Sequence, residues 1–123
     1  MKGRILVVDD QAGIRMLIKE VLELESHQVE TVSTGEDFFN LLKQDDYDFM
    51  IVDLLLPGYA GSELLTELNK YASLSKAMVI SGIGCPETRE KVKKQGVADY
   101  MEKPFDLQTL KEKVQRSLEQ ITA

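Results

Sequence analysis

The chain has 123 residues, of which 43% are hydrophobic and 29% charged, and its formal net charge is −6. That length suits one domain around one hydrophobic core, while the negative balance argues against direct nucleic-acid binding, which needs a basic face. The single cysteine, Cys85, excludes an internal disulfide framework and points to a reducing compartment; no apolar run reaches the roughly 20 residues that span a bilayer.

In chain order, short apolar runs alternate with helical stripes. Met1-Lys2-Gly3-Arg4 does not open a signal peptide but leads straight into Arg4–Asp9 (RILVVD), nearly all apolar, as a strand buried on both faces should be. Ile14, Leu17, Ile18, Val21 and Leu22 then recur at helical spacing. Gln28–Ser33 (QVETVS) alternates more and suits an edge strand. Thr34, three residues before Asp37, resembles a capping box ahead of a helix carrying Phe38, Leu41 and Leu42. Asp48–Asp53 (DFMIVD) is the third strand, and Leu64, Leu65 and Leu68 mark the third helix. Lys76–Ser81 (KAMVIS) is the fourth strand. A helix near Glu87–Gln95 has a faint stripe but a well-marked end, with Lys93 and Lys94 before Gly96. Val97–Glu102 (VADYME) is the fifth strand, and Leu107, Leu110, Val114, Leu118 and Ile121 form the last stripe.

A strand–helix unit repeated in this way calls for parallel strands with right-handed crossovers. The expected fold is α/β: a flavodoxin-like, doubly wound, five-stranded parallel sheet of order 2-1-3-4-5, forming a single domain over 1–123. Ligands of such sheets sit outside the carboxyl ends of the strands. Those ends carry Asp9 and Asp10, Asp53, Ser81 with Gly82, and Lys103 with Pro104.

Three carboxylates crowded at one rim repel one another unless a cation intervenes, and Mg²⁺, which takes oxygen ligands and often only one or two carboxylates beside a phosphate, is the natural one. A carboxylate can attack phosphorus to give an aspartyl-phosphate. The transfer then needs charge neutralisation around the phosphoryl oxygens, which Mg²⁺, the Lys103 ammonium and the Ser81 hydroxyl can supply. Asp9 or Asp10 has an alternative role as an N-cap of the first helix. Asp53 has less room for one, because a carboxylate straight after Phe-Met-Ile-Val is costly without a partner.

At these positions the sequence resembles the receiver domains of two-component signalling. The motifs are ILVVDD at Ile5–Asp10, MIVDLLLPGYAG at Met50–Gly61, MVISG at Met78–Gly82 and YMEKPF at Tyr100–Phe105. The resemblance implies that Asp53 is the phosphoacceptor, that Asp10 binds Mg²⁺ directly and Asp9 through water, and that the Leu55 carbonyl is a further ligand. It implies that Ser81 holds the phosphoryl group and moves towards it on activation. Lys103 would pair with a phosphoryl oxygen, with a cis bond to Pro104, and Tyr100 would be an aromatic switch biased by phosphorylation. Ala60 stands where many relatives carry Asp. Leu55 and Ile83 are apolar at positions that tune hydrolysis, so a comparatively long-lived phosphate is expected.

VDDQAGIR at Val8–Arg15 is most similar to the standalone receivers of sporulation phosphorelays. That resemblance implies a docking face of Gln11, Gly13, Ile14, Leu17, Pro104 and Phe105, although Ile14 and Leu17 also suit core packing. The expected partners are a sensor histidine kinase and a histidine phosphotransferase, with neither nucleic acid nor membrane, for a cytoplasmic monomer. The role is that of a phosphoacceptor promoting its own phosphorylation and dephosphorylation rather than an enzyme. The runner-up is a receiver belonging to a larger transcriptional regulator, or one that acts only by phosphorylation-dependent binding. A nucleotide or flavin binder on the same fold is disfavoured, because the first turn, Asp9-Asp10-Gln11-Ala12-Gly13, is acidic and lacks a phosphate-cradling glycine loop.

Overall fold

The computed structural model describes residues 2–59, 63–82 and 86–122. Ala60, Gly61, Ile83 and Cys85, all weighed above, lie outside the described residues. The elements run β1 (Arg4–Val8), α1 (Ala12–Leu24), β2 (Gln28–Val32), α2 (Gly35–Gln44), β3 (Phe49–Asp53), α3 (Glu63–Leu68), β4 (Ala77–Ser81), α4 (Pro86–Lys94), β5 (Asp99–Glu102) and α5 (Leu107–Thr122), with a 3₁₀ turn at Leu74–Lys76 before β4. Every strand pairing is parallel, and the order β2-β1-β3-β4-β5 is the flavodoxin-like one expected. The more alternating β2 lies at an edge.

Alternation along the strands sorts their side chains into two cores. Leu6, Val8, Met50, Val52, Val79 and Tyr100 pack on one face with Phe38 and Phe39 of α2, Leu64, Leu65 and Leu68 of α3, and Val92 of α4. Ile5, Val7, Phe49, Ile51, Met78, Ile80 and Met101 pack on the other with Ile18 and Leu22 of α1 and Leu110, Val114 and Leu118 of α5. Burying each such aliphatic side chain contributes about 1.5–3 kcal/mol, so the central strands are held firmly from both sides.

The strands are shorter than the apolar runs, for local reasons. Asp9 donates its N–H to the Val32 carbonyl at 3.2 Å and then leaves the ladder. Asp48 uses its carboxylate as well as its backbone, accepting from the Arg4 N–H at 2.7 Å. Lys76 belongs to the 3₁₀ turn, and β5 starts only after the Gly96 turn, whose φ of +101° suits glycine.

Helix ends resolve two expectations. The Thr34 hydroxyl accepts from the Asp37 N–H at 3.1 Å, as the capping pattern implies. At α1 the N-cap is Gln11, with no side-chain cap bond. Asp9 Oδ1 instead accepts from the Gln11 N–H at 2.8 Å, so this aspartate ties down the turn before the helix rather than capping the helix itself.

Candidate functional site

Parallel pairing brings the strand ends to one rim. Val8 is in register with Val52, Asp53 with Ile80, and Ser81 with Glu102. Asp9 and Asp10 follow β1, Asp53 ends β3, Ser81 ends β4 and Lys103 follows β5. Asp9, Asp10 and Asp53 each bring a carboxylate oxygen within 4.8 Å of the others. Asp9 and Asp53 are buried, at 2% and 3% exposure, whereas Asp10 is exposed. A cleft of about 430 Å³ opens over the cluster, lined by Asp10, Gln11, Asp53, Leu55, Gly82 and Lys103.

Lys103 crosses this cluster. Its ammonium lies 2.8 Å from Asp9 Oδ2 and 3.2 Å from Asp53 Oδ2, and it donates to Gln11 Oε1 at 2.7 Å. Three acceptors thus match the three N–H bonds of an ammonium. Burial works against the lysine charge, but the hydrogen bond to Asp9 and the charge of Asp53 outweigh it and hold the Lys103 pKa above the usual lysine value. Asp53 is pushed above the usual carboxylate value, chiefly by burial and further by the charge of Asp9. The Leu55 N–H, donating to Asp53 Oδ1 at 2.9 Å, and the Lys103 charge oppose that rise.

Three carboxylates against one ammonium leave two negative charges unbalanced. The donor set is all oxygen, partly buried and open to a cleft, and these properties fit Mg²⁺. Arg15 adds a contact that the sequence did not announce: its Nη1 donates to the Asp9 carbonyl at 2.6 Å, bracing the acidic turn.

Other expected residues divide. Ser81 is fully buried at the end of β4, and its neighbour Gly82 faces the cleft. Tyr100 is turned inward, 5% exposed, within the α2–α4 core. The Lys103–Pro104 bond is cis. Leu55 is 50% exposed and borders the cleft. Among the residues read as a docking face, Gly13, Leu17 and Pro104 are exposed, and Ile14 packs partly against the α1–α5 core. Phe105 is half-buried against that same core. The Gln11 carboxamide reaches Lys103, 92 residues away in sequence, and no local pattern encodes that contact.

A parallel sheet of this order, ending in an acidic cluster spanned by a lysine, is the arrangement of a signalling receiver domain. The chain belongs to the response regulator receiver domain family, whose sequence pattern matches residues 5–115; such domains are phosphoacceptor modules of signalling. It is 36% identical to the response regulator RppA of Synechocystis over 104 residues, covering 83% of this chain but only 44% of that protein. It is 27% identical to sporulation initiation phosphotransferase F of Bacillus subtilis over 118 residues, covering 96% of this chain and 95% of that protein. The fold matches the CheY-like receiver domain protein from Methanospirillum hungatei with a TM-score of 0.90 at 27% identity, over 99% of this chain and 98% of that one. The chain therefore spans under half of RppA and nearly all of the sporulation protein. No helix among the described residues is long and apolar enough to cross a membrane.

Proposed function

We propose that this receiver accepts a phosphoryl group from a phosphohistidine onto Asp53 and relays it to a partner phosphotransferase. The observation that carries this reading is the buried Asp53 carboxylate at the head of β3, with Lys103 Nζ 3.2 Å away and two more carboxylates within 4.8 Å. In the transfer a carboxylate oxygen of Asp53 forms the new P–O bond. The P–N bond of the donor breaks, and its electron pair returns to the imidazole. Lys103 neutralises charge on the phosphoryl oxygens, and Ser81 offers its hydroxyl to one of them. Asp9, Asp10, Asp53 and the Leu55 carbonyl would hold Mg²⁺, which when bound supplies the remaining charge neutralisation. The near full-length match to sporulation initiation phosphotransferase F supports the relay. The match to less than half of RppA favours a second reading, that of a receiver working within a larger regulator.

Incubation with Mg²⁺ and a small acyl-phosphate donor should add one phosphoryl group by intact mass. The gain should vanish in Asp53→Asn and in a chelated sample. A gain that persists in Asp53→Asn would mean that another residue is the acceptor.

Leu55 presents no polar group to orient an attacking water, which supports a long-lived phosphate. Leu55→Asn is expected to shorten its half-life several-fold in a hydrolysis time course. Unchanged or slower loss would remove Leu55 from that role.

A further inference from the structure

Tyr59 takes no part in the chemistry above, yet it ends a tightly tied segment. Its N–H donates to the Leu56 carbonyl at 3.2 Å. Pro57 and Gly58 fill the middle of the turn, and Gly58 has a φ of +90°, the combination expected of a type II turn. Just before it, the Leu55 N–H closes a turn on Asp53. Leu54 and Leu56 are sunk in the core at 0% and 2% exposure, while Leu55 between them stands out at the cleft. Two successive turns therefore carry the main chain from the acceptor to Tyr59.

The far end of this segment rests on α2. A Cβ built on Gly35, the first residue of that helix, would stand 2.3 Å from Tyr59 Cε2, 3.0 Å from Cζ and 3.1 Å from the hydroxyl oxygen. Phe39 meets the same ring with centroids 5.9 Å apart. The φ of Gly35 lies outside the left-handed region, so its backbone is one that any residue can adopt. What the missing side chain provides is a seat for the ring.

We propose that Tyr59, seated on Gly35, is a positioning residue for the metal–phosphoryl site, anchoring the segment that carries the Leu55 main chain along the cleft. The proposal rests on the metal-dependent phosphoacceptor reading above. With the ring displaced, the turn that follows Leu56 gains conformations and loosens its hold on the Leu55 main chain, freedom that must be lost again when a cation is held, so affinity falls. Asp53 itself stays fixed by the sheet. Gly35→Ala is a selective lever, because what obstructs the new methyl is the end of a rotatable side chain, and alanine suits a helix better than glycine.

Mg²⁺ binding should be measured calorimetrically for the wild type, Gly35→Ala, Tyr59→Phe, Tyr59→Ala and the double variant Gly35→Ala/Tyr59→Ala, with circular dichroism and melting of each. Gly35→Ala and Tyr59→Ala should each weaken Mg²⁺ binding several-fold, and Tyr59→Phe should retain wild-type affinity. The double variant should bind no more weakly than Tyr59→Ala, since the methyl then meets no ring. A folded Gly35→Ala that keeps its melting temperature while losing affinity separates positioning from stability. Unchanged affinity in Gly35→Ala, additive losses in the double variant, or a Tyr59→Phe that behaves like Tyr59→Ala would overturn the proposal. Should Tyr59→Ala fail to fold, Gly35→Ala and Tyr59→Phe decide the matter. A wild type that binds no Mg²⁺ would overturn the functional reading, and the role of Tyr59 with it.

Discussion

Lys103→Met is expected to cost the metal-free protein roughly 3 kcal/mol of folding free energy, the scale of removing one partner from a buried ion pair. The reason is local. Asp9 and Asp53 are 2% and 3% exposed, and the ammonium of Lys103 lies against both. Methionine keeps most of the apolar stem but leaves two buried carboxylates facing each other without a counter-charge. Urea unfolding should show a lower midpoint with an unchanged slope, and Mg²⁺ should narrow the deficit by restoring positive charge to the cluster. A midpoint equal to that of the wild type would mean that the cleft hydrates the carboxylates well enough to need no lysine.

The opposite sign is expected at Asp53. The folded-state pKa of Asp53 is raised above the ordinary carboxylate value of 3.8, with burial the largest cause. The favourable contribution of its protonated form is therefore fully present below 3.8 and lost as pH rises through the folded-state value. At pH 7 and without metal, the ionised side chain burdens the fold. Asp53→Asn has nearly the same shape and no charge, so it should raise the urea midpoint at pH 7, with the gain fading as the solution is acidified. If Asp53 is a Mg²⁺ ligand as proposed, saturating Mg²⁺ should reverse the ranking, because the wild type would hold the cation more tightly and gain more from it. A metal-free Asp53→Asn protein less stable than the wild type at pH 7 would sink this account. In that case the hydrogen bond from Leu55 and the Lys103 charge would outweigh burial.

Much of this arrangement is legible from the chain alone, because strand order and strand ends follow from patterns of short range. ILVVD and FMIVD read as buried strands because both of their faces are covered, and each hands a carboxylate to the same rim. Contacts made across the fold carry no such signature. Gln11 precedes an ordinary apolar stripe, and nothing nearby shows that its carboxamide holds Lys103. Gly35 reads as the opening of a helix until Tyr59 is placed above it. Leu17 and Ile14 share one stripe, but only the placement of α5 decides that Ile14 packs while Leu17 remains 45% exposed. Phe105 sits in a polar stretch whose pattern does not decide its burial, and the turn after β5 lays it half-buried against the α1–α5 core. The ends of the strands drift by a residue or two where side chains such as Asp48 compete for backbone partners.

The stretch from Tyr100 to Phe105 joins the two halves of the molecule mechanically. Tyr100 is buried in the layer built on α2, α3 and α4, whereas Phe105, only five positions later, packs half-buried against the layer built on α1 and α5. Lys103 lies between these two moorings with its charge in the cleft. The main chain at Lys103 is thus flanked, within five residues, by side chains packed into both helix layers of the sheet.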